Sequence, residues 1–155
     1  MKYEISLATP DQPTVIQLLE LSDAYYAELY PAESNHLLDV DALMNDNTHF
    51  FVARDIEDAR IVGCAALVSY SDYGEIKRMF VLPETRGTGA GRDLLCVLEQ
   101  AARQFKLPFL RLETGTAQPE AIGLYKAEGY KEIEPFGDYK RDPLSLFMEK
   151  ELEAV

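Results

Sequence analysis

The sequence predicts a single α+β domain over residues 1–155, close to an α/β arrangement, with a mixed sheet and one central βαβ crossover. Segments of alternating apolar and polar residues, typical of strands, recur along the chain. Two of them flank a segment with helical spacing of apolar residues, which is the pattern of a parallel crossover. With 155 residues, 47% of them hydrophobic, the chain can bury one core of ordinary size.

The first half of the chain begins with the strand "YEISLA". A helix is predicted over residues 14–30, because its apolar side chains fall on one face, and Pro31 ends it. "LLDVDALMND" predicts a shorter helix with Asp39 as its N-cap. "HFFVARD" and "RIVGCAALVSY" are then predicted to form an antiparallel hairpin through the polar turn "IEDA".

The second half contains the crossover. The strand "GEIKRMFVLP" ends at Pro83, and residues 89–105 carry one apolar stripe at helical spacing. The strand "PFLRLETG" follows, then the short helix "QPEAIGLYKAEG", with Pro119 in its first turn and Gly129 at its end. "YKEIEP" and "SLFMEKEL" are predicted as the last strands.

Composition and charge exclude several classes of protein. The net charge is −12 and no basic patch is present, which argues against a nucleic-acid partner and an anionic membrane surface. No apolar run approaches the roughly 20 residues of a membrane span, and the N-terminus does not resemble a signal peptide. Cys64 and Cys96 form neither a disulfide framework nor a metal spacing. We therefore expect a cytoplasmic protein that binds no metal.

The stretch "RGTGAG" places three glycines where the central strand gives way to its helix. The N–H groups of a helix N-terminus attract anions, and residues without a Cβ let the backbone approach them closely. The backbone groups concerned belong to Gly87, Thr88, Gly89, Ala90 and Gly91, with Arg86 and Arg92 able to add charge. The Rossmann and P-loop patterns do not fit these letters. A tight turn without a ligand is the alternative.

Two motifs resemble the GNAT superfamily of acyl-CoA N-acyltransferases. "RGTGAG" matches the family's R/Q-x-x-G-x-G/A signature, with Arg86, Gly89 and Gly91 on the signature positions. "QPEAIGLYKAEGY" is similar to the family's N-x-x-A-x-x-L-Y-x-x-x-G-F motif, with Gln118 in place of asparagine and Tyr130 in place of phenylalanine. The fuller pattern, including "ELYPAESNHLL" and "PFGDYKRDP", is similar to a bacterial subgroup described as YsnE-like.

The resemblance implies a twisted, mostly antiparallel sheet with flanking helices, and acetyl-CoA as co-substrate. In the family the glycine loop grips the pyrophosphate of coenzyme A. Main-chain groups at the end of the preceding strand, here around Phe80, Val81 and Leu82, would bind the pantetheine arm, and Gln118 would contact the cofactor. Family members often dimerise, so a homodimer is open for this chain.

The resemblance also implies catalytic roles. Tyr125 would lie beside the cofactor sulfur as general acid, since a phenol can donate a proton to a thiolate. Glu75, at the start of its strand, is the candidate general base, and Glu113 on the neighbouring strand is the rival. The alternatives are a core tyrosine for Tyr125 and a solvated strand-end carboxylate for Glu75.

Residues for the acceptor are predicted at the mouth of the same cleft. His36, in the loop after the first helix, could orient a substrate carboxylate. Only one of Lys77 and Arg78 should face the cleft, because strand side chains alternate, and Arg78 is the candidate to hold a carboxylate. Tyr139 lies in the loop before the last strand and would form a further wall.

The sequence thus favours an N-acetyltransferase that moves an acetyl group from acetyl-CoA to a primary amine of a small molecule. Two other readings remain open at this level. One is a coenzyme A-binding module without catalysis, acting as a sensor or assembly partner. The other is acetylation of proteins or peptides.

Overall fold

The computed structural model describes residues 2–34 and 37–153. Seven strands form one sheet in the order β1-β2-β3-β4-β5-β7-β6. Only β4 and β5 run parallel, and α3 connects them as the crossover, so the predicted mixed and mostly antiparallel sheet is confirmed. The strands are β1 (Tyr3–Leu7), β2 (Thr48–Asp55), β3 (Ile61–Ser69), β4 (Gly74–Val81), β5 (Phe109–Gly115), β6 (Lys131–Ile133) and β7 (Ser145–Glu151).

Four α-helices accompany the sheet in the described part of the chain. They are α1 (Pro13–Leu29), α2 (Val40–Leu43), α3 (Ala90–Gln104) and α4 (Pro119–Ala127). Asp39 caps α2 as predicted, its side chain accepting from the N–H of Ala42 at 2.8 Å. The helix is shorter than the sequence pattern suggests and ends at Leu43.

The core lies on both faces of the interior strand β3, whose residues are buried from Val62 to Val68. The helix α3 packs on it through fully buried leucines, Leu94, Leu95 and Leu98, as the predicted stripe requires. The helix α1 also contacts β3. Because helices cover this strand on both sides, it is apolar along its length rather than alternating. No helix within the described ranges is long and apolar enough to span a membrane.

Candidate active site

The candidate site lies where β4 and β5 cease to pair. Their ladder joins Gly74–Ile76 of β4 to Leu110–Leu112 of β5. Both strands continue beyond it, β4 to Val81 and β5 to Gly115. These ends border a cavity of about 940 Å³, here called the main cavity. On the edge of β4 that faces β5, the main-chain groups after Ile76 therefore lack a strand partner, and this part of β4 lines the main cavity.

A β-bulge at Arg78 turns the end of β4. The register with β3 shifts between Cys64 and Ala66, and Arg78 adopts a φ of 56°. Both Lys77 and Arg78 border the main cavity, but their charged groups have different partners, Tyr139 for Lys77 and Asp23 for Arg78, and the prediction that only one of them faces the cleft remains a prediction. The extra residue of the bulge interrupts the alternation on which that prediction rested.

The main cavity is lined by α1, the unpaired strand ends, the loop before α3 and the start of α4. Among the residues predicted from sequence, its lining includes Arg78, Phe80, Val81, Arg86, Gly87, Gly89, Gly91, Arg92, Glu113, Gln118 and Tyr125. Leu82 and Ala90 are instead buried in the core. The hydroxyl of Thr88 lies 2.6 Å from that of Tyr3, on β1. For Thr88 and Ala90, the predicted contacts involve the backbone and remain predictions.

The glycine loop has the geometry of an open helix N-terminus. Gly89 is the N-cap of α3 with a φ of 99°, and Gly87 has a φ of 78°. A Cβ at either position would meet no atom within 4 Å. At Gly91 it would lie 3.1 Å from Leu124 Cδ2. The positive φ therefore explains why Gly87 and Gly89 are glycines, and the close packing against Leu124 explains Gly91. The space beside Gly87 and Gly89 is open to an anion.

The two arginines of the loop are placed differently. Arg86 Nε donates to the carbonyl of Val81 at 3.0 Å, and its guanidinium lies over the ring of Tyr25, 4.7 Å from the centroid. Arg86 thus braces the loop against the end of β4. The side chain of Arg92 is largely exposed, with its Nε 3.6 Å from a carboxylate oxygen of Glu128. Arg92 is the more exposed of the two, and both arginines line the main cavity.

Gln118 holds together the unpaired strand ends. Its Oε1 accepts hydrogen bonds from Tyr30 Oη at 3.0 Å and from the N–H of Gly115 at 3.2 Å. Its Nε2 donates to Tyr26 Oη at 3.3 Å, and that hydroxyl donates to the carbonyl of Met79 at 3.1 Å. A hydrogen-bonded bridge therefore links β4 to β5 where their ladder has stopped. The predicted contact of Gln118 with a cofactor remains a prediction.

Tyr26 and Tyr30 have roles that the helical periodicity of α1 does not reveal. Burial raises the pKa of Tyr26 to about 12, so its hydroxyl stays a donor. Tyr30 Oη lies so close to Gly115 that a Cβ there would come within 1.7 Å of it. The spacing of these two tyrosines, four residues apart on one face of the helix, is the sequence signal for such roles, because buried hydroxyls need polar partners.

Tyr125 lies on α4 and is 4% exposed, yet it lines the main cavity. Burial is the largest cause that raises its pKa well above the usual range, with Tyr26 and Glu113 adding to the effect. The hydroxyl is therefore protonated at neutral pH, as a proton donor must be. Its ring packs edge-on against Tyr130, 5.8 Å away between centroids.

Glu75 is buried rather than solvated, and it belongs to a three-residue cluster. Tyr139 Oη donates to Glu75 Oε2 at 2.5 Å and accepts from Lys77 Nζ at 2.6 Å. Glu75 and Tyr139 line a second cavity of about 490 Å³, and Lys77 lines both cavities. Burial raises the pKa of Glu75, against the opposing effect of the Lys77 ammonium.

Glu113, the rival base, lines the main cavity directly. It lies on the strand next to that of Glu75, as predicted. Ser145 Oγ donates to Glu113 Oε2 at 2.8 Å. The structure thus places the two carboxylates on neighbouring strands but in the lining of different cavities.

The other acceptor residues have mixed outcomes. The guanidinium of Arg78 pairs with Asp23 at 2.7 Å and donates to the carbonyl of Leu19 at 3.1 Å. Its charge is therefore already engaged by α1, and the predicted contact with an acceptor remains a prediction. His36 lies outside the described residues.

Comparison with known proteins gives the family. The sequence pattern of the Acetyltransferase (GNAT) family matches residues 15–130, which include the glycine loop, Glu75 and Tyr125. The chain belongs to the GNAT acetyltransferase family. The motif-based identification is therefore confirmed.

This GNAT protein resembles both named and uncharacterised relatives. It is 48% identical over 150 residues to the IAA acetyltransferase of Azospirillum brasilense, covering 96% of this chain and 97% of that protein. It is 33% identical over 125 residues to the uncharacterised N-acetyltransferase YsnE of Bacillus subtilis, covering 79% and 82%. A crystal structure described as an acyl-CoA N-acyltransferase from Klebsiella pneumoniae superposes with a TM-score of 0.82 at 36% identity, covering 97% and 98%.

Proposed function

We propose that this protein transfers an acetyl group from acetyl-CoA to the primary amine of a small molecule. The observation that carries the proposal is that one cavity joins the open glycine N-terminus of α3 to the buried, protonated Tyr125. Membership of the GNAT family and similarity to named acetyltransferases support it. A cavity of about 940 Å³ is at the large end of the range for ligand sites.

The chain's own residues suit the donor. Backbone N–H groups over residues 87–91 would hold the pyrophosphate, because the space above Gly87 and Gly89 is open. Main-chain groups of Phe80, Val81 and Leu82 would hold the pantetheine arm. Acetyl-CoA supplies an acetyl thioester, and Tyr125 Oη would donate a proton to the departing thiolate. Glu75 is the proposed final acceptor of the amine's proton, with Glu113 as the rival.

The walls of the site favour a small acceptor over a peptide. Ser34, after α1, donates from Oγ to Asp142 Oδ2 in the loop before β7 at 2.7 Å. Ser34 also lines the main cavity, and Asp142 lines the second. This contact joins the two chain segments that flank the acceptor side, and we take that bridge as support for a small acceptor.

A thiol-release assay tests the proposal. The protein is incubated with acetyl-CoA and, in turn, tyramine, spermidine, glycine, phenylalanine and a tetrapeptide with a free N-terminus. Release of coenzyme A with at least one small amine, and the acetylated amine by mass spectrometry, is the expected result. Binding of coenzyme A without turnover of any amine would favour the sensor, and turnover of the tetrapeptide alone would favour peptide acetylation.

Arg86→Ala is expected to weaken coenzyme A binding by about 1–3 kcal/mol, the range for a hydrogen bond to a charged group. Arg86→Lys is the matched variant, since it keeps the charge and loses the Nε bond to Val81. Calorimetry with coenzyme A and with dephospho-coenzyme A separates the contacts. Equal losses for both ligands place the contact at the pyrophosphate, whereas a loss confined to coenzyme A would move it to the 3′-phosphate.

A further inference from the structure

The two cavities share a residue of the Glu75 cluster, Lys77. Lys77 lies in the lining of both, whereas Glu75 and Tyr139 line the second cavity and not the main one. The proposed base is thus set apart from the cavity in which the acceptor would react. A proton released in the main cavity needs a carrier to reach Glu75.

A continuous chain of short hydrogen bonds connects Lys77 to Glu75. Lys77 Nζ donates to Tyr139 Oη at 2.6 Å, and Tyr139 Oη donates to Glu75 Oε2 at 2.5 Å. The direct distance from Lys77 Nζ to Glu75 Oε2 is 3.8 Å, too long for a hydrogen bond. The phenol is therefore the bridge, because a hydroxyl can accept one proton while it gives up another.

The surroundings reduce the difference in proton affinity between the ends of this chain. Burial lowers the pKa of Lys77, although Glu75 and Glu113 oppose the effect, and Arg78 lowers that pKa further. Burial raises the pKa of Glu75, as does Glu113, while Lys77 and Tyr139 lower it.

Other charged and titratable groups face the cluster from neighbouring segments. Tyr70 and Tyr73 lie between β3 and β4, Glu33 follows α1, and Asp138, Lys140, Arg141 and Asp142 belong to the loop before β7. Burial and then Glu75 raise the pKa of Tyr139, so the phenol is protonated at neutral pH.

The geometry points to a proton relay in which Lys77 takes the proton of the acceptor ammonium and Tyr139 passes it to Glu75. This inference rests on the proposed function. In one step a proton leaves Lys77 Nζ for Tyr139 Oη while the phenolic proton moves to Glu75 Oε2, which leaves a neutral amine and a carboxylic acid. The lone pair of Lys77 then takes a proton from the acceptor ammonium. Glu75 finally releases its proton to water through the second cavity, which restores the starting charges.

The first test uses pH profiles of kcat/KM for Lys77→Met and Tyr139→Phe, with the best small amine of the thiol-release panel. Each variant should lose about 100-fold near pH 7, the lower end of general acid–base contributions. The loss should shrink as the pH approaches the acceptor's own pKa, about 10 for a primary amine, because the acceptor then arrives uncharged. A merely structural role would produce a loss that does not change with pH.

Two matched variants control for charge and stability. Lys131→Met removes an exposed lysine of β6 that lines neither cavity. Tyr130→Phe removes another phenol that donates to a buried carboxylate, Glu99 Oε2 at 3.1 Å, and that lines neither cavity. Neither control should acquire the pH-dependent loss. The same loss in Glu113→Gln, with Lys77→Met active, would overturn the relay and give Glu113 the role.

The second test needs no acceptor and therefore separates failure of the relay from failure of the proposed function. NMR titration follows Lys77 Nζ with ¹⁵N-lysine and the Glu75 carboxyl with ¹³C-glutamate. Lys77 should titrate below the ordinary value of about 10.4, and further below it in Glu75→Gln. The Glu75 midpoint should rise in Lys77→Met. Titration of each group unchanged by loss of the other would overturn the relay.

Discussion

Gly89→Val is expected to abolish coenzyme A binding while the fold survives. Gly89 caps α3 with a φ of 99°, a region that β-branched residues avoid. A Cβ at this position meets no protein atom within 4 Å, so the added side chain would occupy the space in which we place the pyrophosphate. The substitution thus strains the loop and blocks the ligand together. Calorimetry with coenzyme A, beside a thermal melt, measures both effects.

Gly123→Val is the matched control. Gly123 lies on the exposed side of α4, has no positive φ, and also has open space where a Cβ would stand. The Gly123→Val protein should bind coenzyme A with the affinity of the parent protein. Gly91→Val should also weaken binding, but through contact with Leu124 instead of backbone strain. Unchanged affinity in a folded Gly89→Val protein would remove the loop from the binding site.

Tyr125→Phe is expected to lower kcat by about 10–1000-fold and to leave coenzyme A affinity intact. The change removes a single hydroxyl from a side chain that is 4% exposed, so packing is kept. If this hydroxyl protonates the departing thiolate, the substitution slows only the chemical step, and kcat and kcat/KM should fall by the same factor. Steady-state kinetics with the best small amine, together with calorimetry, test both statements.

Tyr130→Phe serves as the control here as well, because its ring packs directly against that of Tyr125. A similar fall in kcat in both variants would indicate a packing effect. Parent-like kcat in Tyr125→Phe would show that the thiolate leaves without this donor and that the tyrosine only packs within the cavity wall.

Local patterns in the sequence predicted most of the fold. The apolar stripe of α3, the cap at Asp39 and the glycine at the start of α3 each follow from residues within one turn of helix. The crossover between β4 and β5 follows from two strands separated by that helix. The first three features depend on contacts close in sequence, and the crossover follows from the order of the elements, which is why periodicity and turn chemistry are sufficient to predict them.

The features that the sequence did not reveal depend on contacts between distant segments. No local signal marks the bulge at Arg78, a non-glycine residue at positive φ, and the bulge interrupts the alternation of side chains along β4. The bridge of Gln118 with Tyr26 joins residues 92 positions apart. The contact of Tyr139 with Glu75 spans 64 positions and begins in a loop without periodicity.

The central claim is that the open N-terminus of α3 and the unpaired end of β4 hold coenzyme A beside Tyr125. A crystal structure of the protein with coenzyme A tests it most directly. The claim predicts pyrophosphate oxygens within hydrogen-bonding distance of backbone N–H groups of residues 87–91, and the thiol in the main cavity near Tyr125 Oη. A bound coenzyme A whose pyrophosphate lies away from this loop, or whose thiol lies outside the main cavity, would contradict it.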